Sequence, residues 1–310
     1  MAHYITIDGG TSNTRVSLTR DEDVISTLRI SLGAFSVLDN KSALKEAIKS
    51  AIDSLLSNSK KSYEDIECIL ASGMITSEFG LCPLDHINVP AGLGKLHQNM
   101  ERVILDEICP VPFMFVRGVK CIGDSLEDTD MMRGEETELM GIMTDSERDC
   151  IYILPGSHSK VIRVNPDREI ETFSTLLTGE MVKAISDDTI LKDAIDLKCK
   201  NIDYEYLLKG YKFCKEHGIN KSLFKVRILK NVFSAGSSQL YSFFLGIILT
   251  DEIKEVEKYD VPLVVIGGKH QLKEATAAIL REVSSKEIIV LSDEQVDQSV
   301  TKGLMKIYKG

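Results

Sequence analysis

The feature that most constrains this chain is a strand, a glycine-containing turn and two further strands, which follow one another at the start of both halves. These predicted elements are 3–8, 9–13, 15–19 and 24–31 in the first half, and 150–154, 155–158, 160–164 and 170–175 in the second. Residue identity between the two halves is slight, but the shared order of elements indicates a structural duplication.

The rest of the chain alternates between helical and strand patterns. Apolar residues at helical spacing predict helices over 43–56, 92–108, 134–143, 236–257, 270–283 and 294–308, with Asn40 or Ser42 as cap of the first. Short apolar runs predict strands over 67–71, 113–119, 261–266 and 287–291. The predicted class is therefore α/β with mixed sheets.

The acidic, turn-like stretch 124–130 has no apolar periodicity and indicates a domain boundary near Met132. This boundary gives an N-terminal domain over 1–132 and a C-terminal domain over 133–310. Whether the last helix returns to the N-terminal domain is left open.

Composition narrows the classes of partner. The chain has 310 residues, of which 43% are hydrophobic and 27% charged, as in an ordinary folded protein. The 37 basic and 47 acidic residues give a formal net charge of -10. Such a surface repels a phosphate backbone, so nucleic acid is not expected as a partner. A local anion site made of backbone N–H groups remains compatible, because it needs no net positive charge.

Cysteine usage and the apolar runs predict the cellular location of the protein. The seven cysteines form no Cys-x-x-Cys pair, which is typical of reduced thiols in the cytosol. The first residues lack the basic start and apolar stretch of a signal peptide, and the apolar run 240–249 is far shorter than the roughly 20 residues that span a bilayer. We expect a cytoplasmic protein with no membrane partner. The six histidines have no metal-ligand spacing, so no zinc site is expected.

The first glycine turn could bind phosphate. Glycine lets the backbone approach a ligand closely, and the hydroxyls of Thr11 and Ser12 add hydrogen-bonding groups. Asp8 ends the preceding strand, where it could hold magnesium through water. The alternative is a simple hairpin turn rich in Gly and Asn. The chain contains neither a P-loop nor a G-x-G-x-x-G motif.

The order of three glycine sites resembles the sugar kinase, actin and heat-shock chaperone superfamily. The pattern Asp-x-Gly-x-Ser/Thr at 8–12 is similar to its first phosphate motif, the hairpin 154–160 to its second, and Gly267-Gly268 to its adenosine-contacting position. This resemblance implies two ribonuclease H-like, actin-like ATPase domains with mixed sheets around an interdomain cleft that binds ATP.

Further segments resemble one family within that superfamily, the 2-dehydro-3-deoxygalactonokinases. They are Met132–Leu139, Leu154–Lys160, Leu177–Met181, Ser72–Ser77 and Val89–Ala91. The similarity runs from Tyr4 to Gly303, and the Arg-Gly-Glu-Glu-Thr run is its most specific part. It implies ATP-dependent phosphorylation of 2-dehydro-3-deoxy-D-galactonate at the C6 hydroxyl, with ATP and Mg²⁺.

The resemblance also implies roles for individual residues. Glu136 is the first choice for the catalytic base, with Glu135 and Asp130 as fallbacks. The acceptor side is assigned to Gly73, Met74, Ser77 and Arg133. Phosphate and ATP binding are assigned to Asp8, Gly9, Gly10, Thr11, Ser12, Asn13, Arg15, Gly156, Ser157, His158, Ser159, Lys160, Gly267 and Gly268, with Asp8 also facing the metal.

Alternatives to these roles remain open. Acidic residues in the first turn of a helix stabilise it whatever their function, by about 0.3–1 kcal/mol. Arg133 could form a structural salt bridge instead of binding a substrate carboxylate, and Ser77 could belong to an ordinary turn at a strand end. The same fold could serve another sugar acid, an amino sugar or pantothenate, or an actin-like ATP switch without a small acceptor. An oligomeric state is also left open.

Overall fold

The computed structural model of the chain describes residues 2–33, 41–144, 148–268 and 271–310. The chain divides into two compact units. Unit 1 comprises Met1–Ser146, Asp167–Thr172 and Glu294–Gly310, and unit 2 comprises Glu147–Pro166 and Phe173–Asp293. Both units combine helices with mixed sheets, so the predicted α/β class is confirmed.

The strands are β1 (His3–Gly9), β2 (Thr14–Arg20), β3 (Asp23–Ile30), β4 (Ile66–Gly73), β5 (Ile87–Asn88), β6 (Glu101–Val103), β7 (Phe113–Phe115), β8 (Val119–Cys121), β9 (Asp130–Met132), β10 (Cys150–Leu154), β11 (Ser159–Val164), β12 (Ile170–Leu176), β13 (Leu263–Ile266) and β14 (Glu287–Val290). The helices are α1 (Lys41–Asn58), α2 (Leu93–Gln98), α3 (Glu135–Ile142), α4 (Thr178–Asp188), α5 (Tyr204–His217), α6 (Ile219–Asn231), α7 (Ser237–Ile248), α8 (Thr250–Glu257), α9 (Gln271–Val283), α10 (Asp293–Asp297) and α11 (Ser299–Lys309). Short 3-10 turns cover Tyr63–Asp65 and Met74–Thr76.

Unit 1 is built on a sheet that, among the described residues, has the order β3-β2-β1-β4-β7-β6. Alternation along β1 sends Ile5 and Ile7 into one apolar core with α1, and sends Tyr4, Thr6 and Asp8 to the opposite face. On that face Tyr4 packs edge-on against Tyr308 of α11, with ring centroids 5.8 Å apart. A smaller sheet in the described part of unit 1 has the order β5-β8-β9.

Helix α3 packs against α11 in unit 1. The two helices cross at Gly141 and Gly303, where an added Cβ would overlap the backbone of the other helix. Because α3 and α11 group with unit 1, this unit extends past Met132, the residue at which the sequence indicated a domain boundary. The last helix also lies in unit 1.

Unit 2 repeats the topology around its own core. Its sheet has the order β12-β11-β10-β13-β14 within the described chain, with β10 antiparallel to β11 and parallel to β13. Apolar side chains of β10 and β13 pack on α7, whose residues from Leu240 to Ile248 are all buried. As in unit 1, the first strand of the hairpin pairs with a parallel strand on its other side.

Two predicted helices are wrong in extent. The helix predicted over 92–108 ends at Gln98, because Asn99 caps it and the following residues form β6, paired antiparallel with β7. The helix predicted over 236–257 is broken at Leu249 into α7 and α8. The Thr250 hydroxyl donates to the Gly246 carbonyl at this break, a backbone bond that bends helices.

Two further predictions merged separate elements. The strand predicted over 113–119 is β7 followed by β8, which lie in different sheets. The helix predicted over 294–308 is α10 followed by α11. The proposed cap Asn40 and the predicted helix start at His270 lie outside the described residues.

Candidate active site

The first glycine turn joins β1 to β2 in unit 1. Asp8 pairs with Arg15 and Gly9 with Thr14, and the Gly10 N–H donates to the Asn13 carbonyl at 2.9 Å. Ser12 and Asn13 are exposed, whereas Thr11 is half-buried. The turn is therefore a tight hairpin whose tip faces solvent, as phosphate binding requires.

Close packing of three glycines brings this hairpin next to the start of α3. In the parallel pair β1–β4, Gly9 lies opposite Gly73, where a Cβ would come within 2.5 Å of the Gly9 carbonyl oxygen. A Cβ on Gly134 would lie 3.1 Å from the Gly73 Cα. Gly73 and Gly134 also have positive φ angles, +86° and +112°. Side chains at these two positions would push apart the hairpin strand, the 74–76 turn and α3.

Asp8 lies in a row of polar side chains across three strands. It pairs with Arg15 on β2 and with Ser72 on β4. The three side chains therefore share the face of the sheet on which Thr6 contacts Thr301 of α11. Ser72 is fully buried, and its hydroxyl has no hydrogen-bond partner within the described chain. The family resemblance includes Ser72 in the segment Ser72–Ser77 but implies no role for it. The Arg15 guanidinium donates to the Asp297 carbonyl at 3.2 Å.

A single half-buried carboxylate at Asp8 fits magnesium, which typically takes one or two protein carboxylates together with substrate phosphates. No group of three or more His, Cys, Asp or Glu side chains is arranged as a metal site in the described residues. The Asp8 carboxylate is thus a group of the kind that binds magnesium together with substrate phosphates.

Glu136, the first choice for the base, is fully buried. Both of its carboxyl oxygens lie near the Gly134 N–H, at 3.0 and 2.8 Å, and the Thr137 hydroxyl donates to Oε1 at 3.1 Å. Burial, reinforced by the neighbouring Glu135 carboxylate, raises the pKa of Glu136 to about 8. In this arrangement Glu136 has no accessible surface at which a substrate hydroxyl could contact it.

The two fallback carboxylates differ in position. Glu135 is half-buried at the first position of α3, and its Oε2 accepts the Arg133 N–H at 3.1 Å. Asp130 lies on β9, where it accepts the N–H of Met131 and shares a strand face with buried Met132. Of the three carboxylates, Glu135 combines partial exposure with a position beside Gly134 and the first hairpin.

Arg133 holds the backbone around the 74–76 turn. Its Nη1 donates to the carbonyl and the hydroxyl of Thr76, both at 2.7 Å, and its Nη2 donates to the Leu84 carbonyl at 2.9 Å. The guanidinium of Arg133 is therefore used mainly to fix this turn. The Ser77 hydroxyl donates to the Met74 carbonyl at 2.7 Å, which closes the same turn.

The second hairpin, in unit 2, is clamped by the start of α4. The Gly179 N–H lies within hydrogen-bond distance of the Gly156 and Ser157 carbonyls, at 3.0 and 3.1 Å, and the Glu180 N–H donates to the Ser157 carbonyl at 3.3 Å. A Cβ on Gly179 would lie 2.6 Å from the Gly156 carbonyl oxygen. An anion site needs N–H groups at its surface and carbonyls turned away, and α4 engages two carbonyls of this turn.

A buried carboxyl lies beneath this clamp. The Thr178 hydroxyl donates to Oε1 of Glu252 on α8 at 2.5 Å, and Glu252 is fully buried. Burial raises the pKa of Glu252, and the Thr178 hydrogen bond opposes that rise. Sequence reasoning missed Glu252, although its spacing from Leu249, Ile253 and Val256 puts an acid on the apolar face of a helix.

The other predicted residues of unit 2 surround the same hairpin. Ser159 is buried and its hydroxyl accepts the Gly156 N–H at 3.2 Å, while the buried Lys160 ammonium donates to the His158 carbonyl at 3.1 Å. The His158 ring lies 2.9 Å from the Glu180 carboxylate. Gly268 packs against Pro155, since a Cβ there would lie 2.6 Å from the Pro155 carbonyl oxygen, and the Gly267 N–H donates to the Ile153 carbonyl.

A pocket of about 1200 Å³ in unit 2 opens beside the first turn of α9. Its lining includes Asn201, Tyr204, Gln271 and Lys273. Tyr204 is 58% exposed, and the Lys273 ammonium donates to the Asp293 carboxylate at 2.6 Å. The pocket thus offers one exposed aromatic ring and two amide side chains. Sequence reasoning found only the glycines that precede α9.

Comparison with known proteins identifies the family. The model of the 2-keto-3-deoxy-galactonokinase family matches residues 8–307. The chain belongs to this family. The resemblance deduced from the sequence motifs is thereby confirmed, and the family is one of kinases. A Rhizobium meliloti (strain 1021) protein named as a 2-dehydro-3-deoxygalactonokinase is 27% identical over 196 residues, which is 62% of this chain and 59% of that protein. The chain thus spans less than two thirds of this relative's length.

Solved structures share the fold of this family member. A Sinorhizobium meliloti protein named as a 2-dehydro-3-deoxygalactonokinase superposes with a TM-score of 0.82 at 20% identity, covering 100% of this chain and 98% of that one. Component A of (R)-2-hydroxyglutaryl-CoA dehydratase from Acidaminococcus fermentans gives a TM-score of 0.54 at 14% identity, with 100% and 98% covered. The actin-like ATPase fold predicted from the resemblance is confirmed. In the described residues, no helix has the length and apolar character of a membrane span.

Proposed function

We propose that this chain is an ATP-dependent kinase that transfers the γ-phosphoryl group to the C6 hydroxyl of 2-dehydro-3-deoxy-D-galactonate. Membership of the 2-keto-3-deoxy-galactonokinase family supports this proposal. The observation that carries it is the contact of Gly9, Gly73 and Gly134, because it brings a phosphate-type hairpin and a carboxylate at Glu135 together within one unit.

Glu135 is proposed as the general base, in place of the buried Glu136. Phosphoryl transfer needs mainly positioning and charge neutralisation, with a carboxylate to orient the acceptor hydroxyl and take its proton. Glu135 is half-buried at the first position of α3, beside Gly134 and the first hairpin. Glu136 would then position this turn by binding the Gly134 N–H from inside.

Each hairpin would be a phosphate-binding turn of its own unit. In unit 1 the backbone N–H groups of the turn and the hydroxyls of Thr11 and Ser12 would donate to phosphate oxygens, and in unit 2 the backbone N–H groups of the turn would do so. Asp8 would hold magnesium through water, and the bound metal would supply charge neutralisation at the phosphates. Arg133 and Ser77 would fix the acceptor-side turn rather than bind the sugar acid directly.

The pocket beside α9 is proposed to take the nucleoside end of ATP. Part of its lining, Gln271, Lys273 and Glu274, follows shortly after Gly267-Gly268 on the chain, the position that resembles an adenosine contact. The exposed Tyr204 ring could stack on a base, and the amides of Asn201 and Gln271 could bond its edge. The cytoplasmic location and the oligomeric state stay predictions.

An assay of ATP turnover against a panel of acceptors tests this function. The panel contains 2-dehydro-3-deoxy-D-galactonate, its gluco epimer, an amino sugar and pantothenate. We expect ADP formation only with a sugar acid, and fastest with the galacto epimer. Faster turnover with pantothenate or an amino sugar would mean that this compound, and not the sugar acid, is the acceptor. Turnover independent of every acceptor would favour an ATP switch.

A further inference from the structure

The small sheet of unit 1 presents one face with a positive charge balance. In its register Lys120 on β8 lies between Asn88 on β5 and Met131 on β9. Partners in register share a face, and Asn88 and Met131 are exposed, so this face is open to solvent. Val119 and Met132, one residue along, are buried on the opposite face.

His86 and Arg133 extend the same face by alternation along β5 and β9. The Arg133 Nη2 lies 3.3 Å from His86 Nδ1. Gly118 lies between them, and a Cβ there would come within 2.7 Å of His86 Cδ2. The glycine therefore leaves room for the imidazole beside β8, two residues before Lys120. We call His86, Asn88, Lys120 and Arg133 the basic face.

The charges of the basic face are not neutralised by contacts within it. The hydrogen-bond acceptors of the Arg133 guanidinium are carbonyls, a hydroxyl and an imidazole, all uncharged. The Lys120 ammonium makes neither a hydrogen bond nor an ion pair with any residue in the described ranges. Burial first, then the charges of Arg133 and Lys120, lower the pKa of His86 to about 4, so the imidazole is neutral near pH 7.

The carboxylates near the basic face do not neutralise the Lys120 ammonium by direct contact. Asp85 is exposed, and its charge acts on His86 and Arg133 without a contact to the Lys120 ammonium. Asp130 belongs to the opposite face of β9. Glu135 is held beside the Arg133 N–H at 3.1 Å. A lysine without a carboxylate partner beside a guanidinium is suited to a carboxylate that arrives with a ligand.

We propose that the basic face binds the carboxylate of the acceptor, with Lys120 as the charged contact and Asn88 and His86 as neutral ones. The proposal rests on the proposed function. A six-carbon sugar acid carries its carboxylate at the end opposite to the C6 hydroxyl. The carboxylate must therefore be held away from Glu135, at the other end of the acceptor. The donors of Arg133 are already engaged with the 74–76 turn, so they do not fulfil this need.

The test compares wild type with the variants K120M and K120R, and with K49M as a control. Lys49 is an exposed lysine on α1, against the other face of the large sheet. The acceptors are 2-dehydro-3-deoxy-D-galactonate and its uncharged amide. A charged hydrogen bond of ordinary strength predicts that K120M raises KM for the acid roughly 10- to 100-fold. KM for ATP and the weak activity on the amide should not change, K120R should restore most of the affinity, and K49M should match wild type.

Binding of both acceptors is also measured by calorimetry, which separates this proposal from the proposed function. If wild type binds the acid through Lys120 but does not phosphorylate it, the basic face stands and the kinase assignment falls. If wild type phosphorylates the acid and K120M does so with unchanged KM, the basic face is wrong. An equal loss of affinity for the acid and the amide in K120M would also overturn the proposal that the basic face binds the carboxylate. So would the absence of binding of either acceptor by wild type.

Discussion

Replacing Glu136 with glutamine should change how the stability of the protein depends on pH. Burial raises the pKa of this carboxyl from 4.5 to about 8 in the folded chain. Between these two values the folded state holds a proton that the unfolded state has released, so the wild type loses stability as pH rises. Each pH unit in that interval costs about 1.4 kcal/mol, and the whole interval roughly 5 kcal/mol.

E136Q removes this titration while keeping a side chain of the same size. Between pH 5.5 and 7.5 the free energy of unfolding of wild type should therefore fall by roughly 2–3 kcal/mol relative to E136Q. Urea unfolding at a series of pH values, followed by circular dichroism, measures the difference. E78Q, which removes an exposed carboxyl of unit 1, controls for the loss of one charge.

Parallel stability curves for wild type and E136Q would refute this reasoning. They would mean that Glu136 keeps its charge when buried, and that the Gly134 N–H and the Thr137 hydroxyl compensate for its desolvation. A charged Glu136 would also no longer leave the base role to Glu135 alone.

Three further predictions concern activity. E135Q should reduce kcat by 100-fold or more with little change in KM for ATP, a typical loss for a general base; a larger loss in E136Q under single-turnover conditions would return the base role to Glu136. T178V should raise KM for ATP, because the buried carboxyl of Glu252 beneath the second hairpin loses a hydrogen-bond partner worth about 1–3 kcal/mol. S174A removes a similar hydrogen bond from β12 to α8 and should leave KM for ATP unchanged. Equal effects of the two variants would contradict a specific role of Thr178 and α4 in holding the second hairpin. D8N should weaken the magnesium dependence of the rate, and an unchanged magnesium titration would remove Asp8 from the metal site.

The sequence predicted the two hairpins because strand alternation and glycine turns are local signals. Both hairpins form at the predicted positions, and each lies beside a parallel strand. The family motifs also located Glu135 and Glu136 at the start of a helix. Local signals could not decide which of these two adjacent acids is buried.

That choice depends on long-range packing. The rotation of α3 is set where Gly141 crosses Gly303 of α11, a residue far away in the sequence. The role of Arg133 likewise depends on the carbonyls of Thr76 and Leu84, which come near only in the folded unit. For the same reason the helix predicted over 92–108 was too long, since pairing of β6 with β7 overrides the helical spacing.

Transfer of label from [γ-32P]ATP to 2-dehydro-3-deoxy-D-galactonate is the most direct test of the central claim. We expect label to enter the sugar acid in a one-to-one ratio with ADP, to be found on C6, and to appear only slightly as inorganic phosphate. Label released as inorganic phosphate at the same rate with and without the acid would contradict the assignment of this chain as a sugar-acid kinase.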